Sequence, residues 1–265
     1  MPTTSELPTY DLMGLRLQAL DQAGVIDHIL DSFVAGEGGS FVNPNVDYLR
    51  SYVRQPEMRD LVTAADLVVA DGKPLVWAAR LQGDALEDRV AGSSLIWALC
   101  AASAQRDVPV FLLGGQDDDM AMRAAANLAE PAPGLRIGFH VPPFGFESSD
   151  GALTDIVDAL DDFGPAVTFC ALGFPKQERL MQQLRTRFPA SWFLGVGASV
   201  AFASGDFKRA PVWMQDHGLE WLHRLGTEPR RLFKRYVVND LPFAARLFVD
   251  AARHRRRATV APVGG

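Results

Sequence analysis

Cysteine is nearly absent. Cys100 and Cys170 stand far apart among 265 residues, each inside an apolar stretch. Two such thiols cannot make the disulfide framework of a small secreted domain; they read as buried, reduced thiols of a cytoplasmic protein. The five histidines are scattered, with no Cys/His group at metal-ligand spacing. No apolar run is long enough to cross a bilayer. The opening MPTTSELPTYDLMG lacks the basic region and apolar stretch of a secretion signal. A complete dinucleotide fingerprint, a P-loop, an internal repeat and a low-complexity linker are missing as well.

The hydrophobic content of 48% suits one globular domain or two closely joined lobes. The formal net charge of −6 is unevenly spread. Residues 205–265 hold 12 Lys/Arg and 6 Asp/Glu, whereas the remainder holds 14 and 26. A basic tail on an acidic body points to an anionic partner for the tail: phosphate, a membrane surface or nucleic acid.

Six short apolar runs have strand character: GSFVN (39–43), DLVVA (66–70), VPVFLLG (108–114), LRIGFHV (135–141), AVTFCALG (166–173) and SWFLGVGA (191–198). Segments of helical spacing alternate with them, at Ser93 to Gln105, Asp117 to Leu128, Thr154 to Leu160 and Lys176 to Arg187. The alternation predicts an α/β fold with a mostly parallel sheet covered by helices on both faces. Residues 1–38 read as a small strand or loop followed by the helix DQAGVIDHILDSFVAG. From about residue 206 the texture changes, and 212–223, 228–238 and 240–256 read as helices, with fraying after Arg257. We therefore expect a body over 1–205 and a basic helical appendage over 206–265.

In an open parallel sheet, ligands sit at the carboxyl ends of the strands. Four such ends carry VNPNVDY, VVADGKP, FLLGGQDDD and ALGFPKQE, and GVGAS adds a glycine-rich exit. Gly114, Gly115, Gly195 and Gly197 could let backbone N–H groups approach a pyrophosphate, although strand-to-helix turns use glycine anyway. Asp117, Asp118 and Asp119 read as a helix start rather than a metal site, since three adjacent helical residues cannot all face one ion. Asp71 fits two roles equally: a turn-former or helix cap, and a general base facing a pocket. In GFPKQE, Pro175 fits the first helical position, and Lys176 beside it is mildly costly unless an anion is near. In the tail, Trp213, Trp221, Phe233 and Tyr236 are candidate docking anchors. Arg209, Arg224, Arg230, Arg231 and Arg235 are candidate phosphate ligands. Phe243, Leu247 and Ala251 share a helical face that ends in a basic cluster. That pattern fits a helix lying on an anionic membrane and equally an ordinary terminal helix.

The ordered set NPN, ADG, EDRVAG, VFLLGG, PPFGFE, LGFPKQE, GVGAS, SGDFKRAP, GLEWLHRL and EPRRLFKRY resembles the WecG/TagA/CpsF glycosyltransferase family from about residue 10 to residue 240. The resemblance implies a Rossmann-like body whose C-terminal appendage completes the active site and assists membrane contact. It implies inverting, metal-independent transfer of a sugar, of N-acetylmannosamine or glucose type, from a UDP-sugar. The acceptor would be lipid-linked, a polyprenyl diphosphate on the inner face of the cell membrane, in teichoic-acid-type or other surface polysaccharide synthesis. No cofactor is implied, and nucleic acid is disfavoured by the acidic body. Association of like chains through apolar helices is left open. Carried onto this sequence, the family's base falls on Asp71 and its catalytic amides on Asn45 and Gln177. Its arginines fall on Arg209, Arg230 or Arg231, and Arg235. Two positions depart from the pattern: Asn43 stands where Thr is expected and can still hydrogen-bond, and Ala201 replaces an expected acid. A non-catalytic nucleotide-sugar-binding protein of the same fold is the alternative reading. A nicotinamide oxidoreductase is disfavoured by the incomplete glycine pattern and the basic tail.

Overall fold

A computed structural model of the chain describes residue 4 and residues 7–260, apart from 85 and 87. The order of elements begins with an antiparallel hairpin, β1 (Thr9–Leu12) and β2 (Leu15–Gln18), and α1 (Gln22–Val34). Then follow β3 (Gly39–Val42), α2 (Val46–Arg54), α3 (Pro56–Thr63), β4 (Leu67–Val68), α4 (Lys73–Gln82) and α5 (Gly92–Gln105). The second half of the body holds β5 (Val110–Gly114), α6 (Asp118–Ala129), β6 (Ile137–His140), α7 (Asp150–Phe163), β7 (Val167–Ala171), α8 (Lys176–Arg187), β8 (Trp192–Gly195) and α9 (Ser199–Ala203). All six predicted strands are present, and they form one parallel sheet in the order β4-β3-β8-β7-β5-β6.

Period-two burial sorts each strand between two cores. Val42, Phe111, Leu113, Cys170 and Phe193 face the layer of α2, α3, α4, α7 and α8. Phe41, Val110, Leu112, Val167, Phe169, Trp192 and Leu194 face the layer of α1, α5, α6 and α9. Helices start where the sequence offers a cap: Asp21 accepts from the Gly24 N–H, Asp117 from the Met120 N–H and Ser149 from the Ala152 N–H. Asp117 is thus a cap.

β3 leaves the sheet toward the first layer and its neighbour β8 toward the second, so their ends diverge. This is the crevice in which doubly wound sheets hold ligands.

Among the described residues from Val212 to Val260 the elements are all helical: α10 (Val212–Asp216), α11 (Glu220–Thr227), α12 (Pro229–Phe233), a π-helical segment Lys234–Asp240, and α13 (Leu241–Val260). The helix continues to Val260, past the fraying expected after Arg257. The stripe Phe243, Leu247 and Ala251 is at most 2% exposed and packs on α4 within the first core. That face is therefore core and unavailable to a membrane. Burying a Phe and a Leu contributes about 4 kcal/mol, against less than about 1 kcal/mol for a typical exposed ion pair, so α13 is held chiefly by packing. Of the four expected anchors, Trp213 and Phe233 are exposed at 59% and 55%; Trp221 and Tyr236 meet edge to face.

Candidate active site

Asp71 follows β4 on the loop into α4. The helix takes Gly72 as its N-cap residue, at φ 97°, and has no side-chain cap. Asp71 is therefore free of the capping role. Its N–H donates to the Pro44 carbonyl at 2.8 Å, tying the β3 and β4 exits together. Its carboxylate faces a cleft, with a quarter of the side chain exposed. Burial raises its pKa from 3.8 to about 6; Arg89 opposes this, Glu220 adds to it, and Arg224 and Arg209 oppose it further. Arg89 Nη1 lies 3.7 Å from Asp71 Oδ1 and 2.6 Å from Glu220 Oε2. Arg209 Nε donates to Glu220 Oε1 at 3.2 Å.

Gln177 is 2% exposed in the first turn of α8. Its Oε1 accepts the N–H groups of Gly173 (3.1 Å) and Gly197 (3.2 Å). Its Nε2 donates to Glu178 Oε1 at 2.8 Å, and the Tyr48 hydroxyl donates to the same oxygen. Burial drives both Glu178 and Tyr48 upward in pKa, so each holds its proton more tightly than usual. The amide thus braces the two glycine turns from below. A Cβ on Gly195 would lie 2.7 Å from Gln177 Nε2, so a larger residue there would push the amide off its hydrogen bonds. Asn45 caps α2, accepting from the Asp47 and Tyr48 N–H groups at 3.1 and 3.2 Å. Asn43 Nδ2 donates to the Val90 carbonyl at 3.1 Å.

The appendage closes the cleft. The π-helical segment carries Arg235 and Tyr236 to it, and π-turns recur at functional sites. Arg235 Nε lies 3.0 Å from Asp47 Oδ2, and Arg50 Nε donates to Asp240 Oδ1 at 3.1 Å, joining body to tail. The Arg224 guanidinium stacks 4.9 Å from the Phe202 ring centroid and has no ion pair among the described residues. α5 has Ala91 as its N-cap residue and so no side-chain cap, and its first residues, Gly92 and Ser93, line the cleft with their positive helix end.

The cleft has two lobes that share Asn45, Asp47, Asp71, Ser93, Arg224, Arg235 and Tyr236. One lobe, of 450 Å³, adds Asn43, Gln177, Gly195, Gly197 and Arg231. The other, of 190 Å³, adds the apolar Val46, Pro74, Trp221, Leu241 and Ala244 and the charged Lys73, Arg89, Glu220 and Asp240. Asp71 stands where they meet.

Of the residues singled out in the sequence, Asn43, Asn45, Asp71, Gln177, Gly195, Gly197, Arg224, Arg231 and Arg235 are brought together here. Gly115 and Ala201 line a small side pocket, sharing Ala171, Gly197 and Ala198 with the larger lobe; no carboxylate lines that pocket. Gly114 packs against the Ala171 carbonyl, and Arg230 is exposed on α12. Arg209 sits behind Glu220 on an adjoining pocket. Lys176 finds its anion in Glu147, 2.5 Å away, and does not line either lobe. Sequence reasoning missed Arg89 and Glu220 as site residues. The only sequence signal was that each is a charged residue inside a quoted motif, EDRVAG and GLEWLHRL.

Among the described residues, no group of three or more His, Cys, Asp or Glu could hold a metal ion. No helix there is long and apolar enough to cross a membrane. The family model described as the glycosyl transferase WecG/TagA/CpsF family matches residues 10–257, appendage included, and the chain belongs to that family of glycosyltransferases.

Proposed function

We propose that the protein is an inverting glycosyltransferase that moves a sugar from a UDP-sugar to a lipid-linked acceptor in surface polysaccharide synthesis, without a metal. The observation that carries this reading is the place of Asp71. It lies where two lobes meet, with Arg224, Arg235 and the uncapped start of α5 bordering both; the larger lobe adds Arg231 and the glycine turns, and the smaller adds an apolar wall of Val46, Pro74, Trp221, Leu241 and Ala244 beside Arg89 and Glu220. The nucleotide diphosphate occupies the first, and the acceptor's reducing-end sugar and lipid-side groups the second. The acceptor hydroxyl oxygen attacks the anomeric carbon from the face opposite the leaving group. Its proton passes to Asp71, and the bond to the β-phosphate breaks with its electrons staying on UDP. The charge that develops on UDP meets Arg224, Arg231, Arg235 and the positive end of α5. Asn45 and Gln177 act by setting the turns around the donor, since their side-chain oxygens already accept backbone N–H groups. Residues 206–265 serve as the appendage that completes the site. Exposed Leu241 and Val249, with the basic run Arg253–Arg257, bring the enzyme to an anionic membrane face.

The test is a panel of UDP-, GDP- and dTDP-sugars offered with polyprenyl-diphosphate-linked acceptors, read by product mass. One UDP-sugar should be consumed with an extended lipid formed. Tight donor binding with no transfer to any acceptor would favour the non-catalytic reading instead.

A further inference from the structure

Arg89 has two carboxylates within reach and sits with the one supplied by the appendage. Nη1 is 2.6 Å from Glu220 Oε2 but 3.7 Å from Asp71 Oδ1. Nη2 donates to the Gln215 carbonyl at 3.3 Å, again in the appendage. Glu220 is itself fixed from behind by Arg209. A guanidinium released beside a carboxylate in a walled cleft closes to a direct, often bidentate pair. Such a pair would engage the lone pairs of Asp71 and make it a weaker base.

We propose that Glu220 is a positioning residue for the transfer: it draws the Arg89 guanidinium off Asp71 and keeps that carboxylate open to the acceptor hydroxyl. The inference rests on the reading of Asp71 as the base. It also makes the base ready only when the appendage is docked, because Glu220, Gln215 and Arg209 all arrive with residues after Gly205. The other charged or titratable groups near Asp71 do not replace Glu220. Arg224 on α11 is a second cation, the Tyr48 hydroxyl on α2 is engaged as a hydrogen-bond donor to Glu178, and Lys73 on α4 pairs with Asp88 at 2.8 Å. Asp47 is engaged with Arg50 and Arg235.

The experiment is the pH dependence of kcat/KM for transfer in four proteins: wild type, Glu220→Gln, Arg89→Gln and the double variant. Glu220→Gln should move the acid limb down by about half a pH unit or more and lower the plateau about tenfold. Arg89→Gln should move the limb up. Adding Glu220→Gln to Arg89→Gln should then change the plateau by less than about threefold, because the harm passes through Arg89. A role in docking alone would lower the rate equally in both backgrounds. An acid limb of Glu220→Gln at the wild-type position overturns the proposal. So does a further tenfold loss on adding Glu220→Gln to Arg89→Gln, a comparison that stands even if the single Glu220 variant fails to fold. If Asp71→Asn transfers at the wild-type rate, the base reading falls. If Asp71→Asn is inactive and the limb does not move, only the role of Glu220 falls.

Discussion

At the scale of single residues, Asp71 is costly to keep. In the unfolded chain it ionises above its ordinary value of 3.8, but in the folded protein only above about 6. Folding therefore binds a proton between those values, and stability falls as pH rises through that window and stays lower above it. The full shift corresponds to about 3 kcal/mol at neutral pH. With a quarter of the side chain open to the cleft, solvent screening reduces the expected gain to about 1 kcal/mol. Asp71→Asn should therefore unfold at a higher temperature than wild type at pH 8, and the difference should vanish near pH 4. Calorimetry at the two pH values checks this; an equal or lower melting temperature at pH 8 would show that Asp71 is stabilised rather than strained. A charge kept at a cost, at the junction of two lobes, is what a functional carboxylate looks like energetically. Gln177 is the opposite case. Its polar atoms are all partnered, so it earns its burial by bracing the glycine turns.

At the scale of elements, the strands and their exits were legible because the sheet's two cores impose a simple rule: short apolar runs that end in Gly, Asn or Asp. Phe41 and Val42, or Leu112 and Leu113, are apolar on both faces because helices cover both. Helix α8 begins at Lys176 and ends at Arg187, as its spacing predicts. The terminal helix was ambiguous for a physical reason. A stripe such as Phe243, Leu247 and Ala251 has the same period whether it faces lipid or a neighbouring helix, and only the complementary face of α4 decides. Leu247→Ala should cost about 3 kcal/mol, as for other fully buried leucines. Chemical denaturation checks this. A loss under about 1 kcal/mol would mean that α13 docks weakly and that the appendage is held by its ion pairs.

At the scale of the whole molecule, the acidic body and basic tail are two sides of one cleft. Asp47 meets Arg235, Asp240 meets Arg50, and Glu220 meets Arg89, so body and appendage exchange partners of both signs on either side of Asp71. None of these pairs was readable from the sequence. Arg89 and Glu220 are separated by more than a hundred residues and meet only when the tail folds back. The candidate residues at strand ends were found because topology brings all such ends to one edge of the sheet. Lys176 and Arg230 were chosen on the same grounds of charge and motif, but local pairing and helix phase turn them away from the cleft. The central claim is that Asp71 takes the acceptor's proton while other residues hold the donor. Its most direct test is turnover and donor affinity measured side by side for wild type and Asp71→Asn with the UDP-sugar that the panel identifies. Turnover should fall about a hundredfold or more, with the donor dissociation constant within about threefold of wild type. An Asp71→Asn enzyme that turns over at the wild-type rate would contradict the account.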